Sequence, residues 1–108
     1  MNRSGFIKIA HRGASGLAPE NTLQAFSKAL EIGVDGVELD VHGTADGELV
    51  VLHDRTLDRT TDRTGFVNEM ALAKIREADA GAWFGTSSIG EKVPTLMESL
   101  DLIKASAI

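Results

Sequence analysis

"GVELDVHGTADGELVVLHD", residues 36–54, alternates apolar and ionisable side chains and then turns back on itself. Successive side chains of an extended chain face opposite ways, so Val37, Leu39 and Val41 share one face while Glu38, Asp40 and His42 share the other. Asp46-Gly47 is a strong tight-turn dipeptide, and Glu48–Leu52 reads as the return strand, ending in His53-Asp54. A β-hairpin is expected. With Asp46 and Gly47 as a two-residue loop, Ala45 opposes Glu48 and His53 falls directly opposite Asp40, where Cβ atoms stand roughly 4.5–5.5 Å apart. Glu38, Asp40 and His53 then converge on one face. A loop longer by one residue would break this register.

Upstream, Phe6 to Ala10 reads as a short buried strand stopped by Gly13 and Gly16, with His11 and Arg12 at its C-terminal tip. Asn21 with Gln24 three residues on makes a capping-box-like helix start after Pro19. Leu23, Phe26 and Leu30 recur at helical spacing, and Gly33 ends that helix. Capping alone accounts for Glu20, Asn21 and Thr22. Downstream, Asp-Arg-Thr recurs at 54, 58 and 62 and reads as a solvated, charge-balanced loop. Asn68 is expected to cap a helix from about Met70 to Ala78 closed by Gly81, with Trp83 and Phe84 as a lid over the core. Thr95 and Glu98, after Pro94, form a second capping box for a helix through Leu96, Leu100 and Ile103. No internal repeat, linker or low-complexity segment divides the 108 residues, which read as one domain or part of one.

With 11 Lys and Arg against 16 Asp and Glu, the net charge is −5, which gives the surface as a whole no attraction for nucleic acid or an anionic membrane. A small-molecule partner is expected. The absence of cysteine excludes disulfides and thiolate metal sites. Neither a signal peptide nor a stretch approaching the roughly 18 apolar residues of a membrane span is visible, so a cytoplasmic location is expected.

The ionisable face suggests chemistry. Carboxylates at positions i and i+2 of a strand have Cα atoms about 6.6 Å apart and repel unless a cation lies between them. Magnesium or calcium suits such hard oxygen donors, whereas zinc or copper prefers more imidazole or sulfur. Only two ligands are visible, so water, substrate or a further carboxylate must complete the shell. Two histidines nearby suit acid and base work near neutral pH, and an arginine suits a phosphate. His42 reads as structural or as a support for a neighbouring site residue.

"AHRGASGLAPENTLQAF", "GVDGVELDVHGTADGELVVLHDRTLDRTT" and "VPTLMESLDL", in this order and spacing, closely resemble the N-terminal part of the glycerophosphodiester phosphodiesterase family, from about Ile7 to Ile103. The resemblance implies an α/β fold, the N-terminal portion of a distorted (β/α)8 TIM barrel with its site at the C-terminal strand ends. It implies hydrolysis of glycerophosphodiesters to glycerol 3-phosphate and an alcohol with a divalent cation, magnesium or calcium. His11 and His53 would be the acid and base, Arg12 would bind the phosphate, and Glu38 and Asp40 would hold the metal. In the family scheme the glycerol 2-hydroxyl attacks phosphorus and water then opens the cyclic phosphate. Residues from about 55 to 90 resemble the family's inserted region. A barrel of this kind takes about 250 residues, so the 108 here are expected to be the front of a longer barrel or to assemble with other copies. Two other readings stay open: a related phospholipase chemistry that stops at the cyclic phosphate, and a non-catalytic interaction module.

Overall fold

The computed structural model describes residues 7–105. Its first strand, β1, is Ile9–His11, and Phe6, expected to begin it, lies outside the described residues. Helix α1, Leu23–Ile32, follows, and then strand β2, Gly36–Glu38, pairs parallel to β1 with His11 beside Glu38. This is a βαβ unit, whose parallel strands deliver their C-terminal ends to the same rim. The loop from β1 to α1 folds back onto the helix, its Ala14 N–H donating to the Ala25 carbonyl at 3.0 Å. Gly13 permits that approach: its φ is +78°, and a Cβ there would stand 2.8 Å from the Ala25 Cβ.

Thr22, not Asn21, caps α1. Its hydroxyl accepts from Ala25 N–H at 3.2 Å and donates to the Pro19 carbonyl at 2.7 Å. Gln24, expected as the reciprocal partner, instead offers its backbone N–H to Glu91 at 3.2 Å. Gly33 ends the helix as expected, and Ala25, Phe26 and Ala29 form its buried face.

The alternating stretch 36–43 is two strands rather than one. β2 belongs to the parallel pair, and β3, Val41–Gly43, pairs antiparallel with β4, Leu49–Val51. Alternation records which way side chains face and is blind to the partner strand. The hairpin is present, with a register one residue from that expected. His42 opposes Val50, and Leu52 N–H donates to the Asp40 carbonyl at 2.9 Å, so Leu52 and not His53 lies across from Asp40. The loop holds three residues, Ala45 to Gly47, closed by Thr44 N–H to the Glu48 carbonyl at 2.8 Å. Gly47 takes φ +81°, and the Thr44 hydroxyl donates to Asp46 at 2.5 Å while accepting from Glu48 N–H at 3.0 Å. A two-residue type I′ loop would need Asp46 left-handed as well; with only Gly47 left-handed, the loop takes the extra residue.

Beyond the hairpin the chain builds its own core. Val50, Leu52, Leu57, Val67, Ile75, Ala78, Ala80 and Val93 are buried together, so residues 55–90 pack onto β4. The charged side chains of the Asp-Arg-Thr run are mostly exposed, as expected of a solvated loop, though part of the run is anchored. Thr60 and Thr61 are buried, and Asp58 accepts from Gly65 N–H at 3.2 Å. Helix α2 is only Leu72–Ile75, and its first N–H bonds to Asp46 at 3.1 Å; Asn68 lies in a 3₁₀ turn, Val67–Glu69, and does not cap it. Trp83 and Phe84 meet edge to face, centroids 5.7 Å apart, yet remain 44% and 37% exposed outside that core and so do not roof it. Helix α3, Leu96–Ala105, opens on the expected box: Thr95 N–H donates to Glu98 at 2.9 Å and Glu98 N–H to the Thr95 hydroxyl at 3.1 Å.

Candidate active site

The β1–β2 register sets His11 directly against Glu38, and the His11 Nε2 lies 3.1 Å from the Glu38 carboxylate. Both side chains are at least half exposed, so the rim is open to a small molecule. Asp40, two residues on, turns to the next loop: the Asn21 amide donates to it at 2.9 Å, and Arg12 Nε lies 3.7 Å away. The last distance is too long for a hydrogen bond. Arg12 Nε is a buried donor without an acceptor, as Asn21 Oδ1 is a buried acceptor without a donor.

Arg12 and Asn21 are also, among the described residues, the only non-glycines with positive φ, +57° and +54°. They hold one another, Asn21 N–H donating to the Arg12 carbonyl at 2.8 Å. Left-handed backbone at ordinary residues costs on the order of 1–3 kcal/mol and collects where a site dictates geometry. Here it aims a guanidinium and an amide at the same carboxylate.

His53 reaches the site by a route the hairpin register does not provide. Its Nδ1 donates to Asp54 at 2.7 Å, and Arg59 grips Asp54 at 2.9 and 3.0 Å. Arg59 also grips Glu20 at 2.8 and 3.1 Å, and Arg12 Nη1 lies 3.4 Å from both oxygens of Glu20. A path of hydrogen bonds and ion pairs thus joins Asp40, Arg12, Glu20, Arg59, Asp54 and His53, its Asp40–Arg12 link an ion pair without a hydrogen bond. The expected site residues all lie at this rim or on this path. His42 holds the His53 carbonyl with its Nε2 at 2.9 Å, in keeping with a structural role.

The electrostatics follow from the pairing. The bond from Arg59, then that from His53, holds the Asp54 carboxyl well below the ordinary carboxylate range. Burial pushes the Glu20 carboxyl up, but the Arg59 bond and charge, seconded by Arg12, outweigh it and leave Glu20 lowered. Asp54 and then Glu20 raise the guanidinium of Arg59 further still.

Glu20, Asn21, Asp54 and Arg59 belong to this constellation, and residue-type reasoning passed over them as caps and a charge repeat. One signal was available. Asn21 and Thr22 are adjacent residues able to cap, and one helix start uses only one of them.

For a divalent cation, Glu38 and Asp40 supply hard carboxylate oxygens of the right chemistry, and the orphaned Asn21 Oδ1 adds an oxygen beside Asp40. Among the described residues no group of three His, Cys, Asp or Glu side chains gathers into a metal site. The donor set fits part of an oxygen shell. Among the described residues no helix is long and apolar enough to cross a membrane.

Residues 11–107 match the model of the glycerophosphoryl diester phosphodiesterase family. A glycerophosphodiester phosphodiesterase of Caldanaerobacter subterraneus is 55% identical over 97 residues, covering 90% of this chain and 40% of that protein. Human glycerophosphodiester phosphodiesterase 1 is 46% identical over 100 residues, covering 91% of this chain and 30% of that one. The solved Oleispira antarctica phosphodiesterase, in complex with the product sn-glycerol-3-phosphate, superposes with a TM-score of 0.92 at 42% identity, covering 95% of this chain and 42% of that one. The Agrobacterium tumefaciens glycerophosphodiester phosphodiesterase superposes with a TM-score of 0.89 at 47% identity, covering 94% and 44%. The chain therefore spans well under half the length of these relatives, while nearly all of it lies inside the match, and it belongs to the glycerophosphoryl diester phosphodiesterase family.

Proposed function

We propose that this chain carries the catalytic rim of a metal-dependent hydrolase that converts glycerophosphodiesters to glycerol 3-phosphate and an alcohol, on the front strands of a (β/α)8 barrel. The observation that carries the reading is the pairing of His11 with Glu38 at the shared C-terminal end of two parallel strands, next to Asp40 and a buried Arg12 Nε that lacks an acceptor. A buried guanidinium N–H with a carboxylate nearby but no hydrogen-bond acceptor suits an anion, and a phosphodiester supplies one.

Arg12 would orient the phosphate, held in place by Glu20 on its other side. One histidine of the pair His11 and His53 would take the proton of the glycerol 2-hydroxyl as its oxygen attacks phosphorus. The other would give a proton to the alcohol oxygen as its bond to phosphorus breaks. The two would exchange roles when water opens the cyclic phosphate. Glu38 and Asp40 would hold the cation, magnesium or calcium, whose charge offsets that developing on the phosphoryl oxygens. Residues 55–90, packed onto β4, would border the substrate entrance as the family's inserted region does.

The test is ³¹P NMR of glycerophosphocholine incubated with the protein and magnesium or calcium. Glycerol 3-phosphate should accumulate and cease to form when EDTA is added. A cyclic phosphate as end product would assign the related phospholipase chemistry instead, and an unchanged substrate would leave the interaction module.

A further inference from the structure

We propose that Arg59 is a positioning residue that locks the two halves of the site together, fixing His53 through Asp54 and Arg12 through Glu20. The inference rests on the phosphodiesterase reading and adds to it residues that do not touch substrate.

Glu20 lies in the loop that follows β1, and Asp54 in the loop that follows β4. No backbone ladder joins these loops; the parallel pair is β1–β2 and the antiparallel pair is β3–β4. Arg59 spans the gap with four hydrogen bonds of 2.8 to 3.1 Å, two to each carboxylate. A guanidinium meets two carboxylates in this way because its five N–H groups form a rigid planar fork; an ammonium has no such fork. Each carboxylate then spends its remaining capacity on a residue of the site. Asp54 accepts from His53 Nδ1–H at 2.7 Å, which leaves Nε2 as the nitrogen that faces substrate. Glu20 lies against the Arg12 Nη1, whose backbone φ of +57° needs outside support. Glu20 is also the more enclosed of the two carboxylates, its side chain only 10% exposed, so losing Arg59 leaves it with Arg12 alone.

The test is long-range ¹H–¹⁵N NMR of the histidine rings, with His53 assigned by its loss in His53→Gln. In the unsubstituted protein neutral His53 should carry its proton on Nδ1. In Arg59→Ala the ring should divide between the two tautomers. Arg59→Lys should restore Nδ1–H only in part. Turnover of glycerophosphocholine should fall in Arg59→Ala by about 10- to 100-fold, the range for removing a group that orients a functional imidazole, with KM rising as Arg12 loosens. If Arg59→Ala does not fold, Glu20→Gln decides, since it keeps the shape and one acceptor. Its KM should rise while the His53 tautomer holds. A folded Arg59→Ala protein with the His53 tautomer intact would overturn the proposal, as would a Glu20→Gln protein with unchanged KM. Absence of turnover in the unsubstituted protein would overturn only the phosphodiesterase reading, because the tautomer is read without substrate.

Discussion

Each role proposed for a single residue has a substitution that separates it from folding. His53→Ala should lower kcat by roughly 10²- to 10⁴-fold, the range for loss of a general acid or base, while the urea midpoint stays put, since His53 is outside the buried core. Asp40→Asn should weaken the response to added magnesium or calcium in a metal titration, because it removes a hard charged ligand and keeps the side chain's size. Gly13→Ala is the opposite case. Its Cβ would meet the Ala25 Cβ at 2.8 Å at a φ of +78°, and it should cost about 1–3 kcal/mol by urea denaturation, as overpacking does. Residue types alone marked the histidines and paired acids as candidates, and the roles proposed for them come from the resemblance of the whole motif set. Asn21 and Arg59 escaped because a simpler local explanation, a cap and a charge repeat, satisfied each of them. What sets them apart is a partner 19 or 39 positions away in the chain.

Elements held where their determinants are local. The box at Thr95 and Glu98 and the glycine stop at Gly33 needed nothing beyond four or five residues, and both are present. The hairpin was legible as a hairpin, but its register turned on whether Gly47 closes a two- or a three-residue loop. The Thr44 hydroxyl bridging Asp46 and Glu48 favours the longer one. Asp46, from the hairpin tip, accepts from the Leu72 N–H and fixes where α2 starts, an anchor that periodicity does not reveal. Thr22→Ala should cost about 1 kcal/mol, the usual worth of a helix cap, and Asn21→Ala should cost catalysis more than helix content. Circular dichroism beside an activity assay checks both, and the reverse ranking would return the cap to Asn21.

The whole molecule couples these pieces through its carboxylates, and its acid response follows. Asp54 and Asp79 sit below the ordinary value of 3.8, and Glu20 and Glu98 below 4.5, so the unfolded chain takes up protons on acidification before the folded one does. Stability from these groups is therefore complete above about pH 5 and is lost as pH falls through 4 toward their folded values. Thermal midpoints should be level between pH 5 and 7 and drop below pH 4. Asp79→Asn should flatten part of that slope, because the Gly81, Gly90 and Ala82 N–H groups that lower it would then face an uncharged oxygen. The division of residues 36–43 between two ladders has a consequence of another kind. Glu38 is pinned by β1 and Asp40 by the base of the hairpin, so the hairpin's outer end is mechanically free of both. Loop grafting should respect parity there. Lengthening each arm by two residues preserves every facing relation down to Asp40, whereas adding a single residue to one arm inverts them, and because Ala45 N–H and Asp46 at the tip hold Met70 and Leu72, any insertion there is felt first by α2 and not by the two carboxylates.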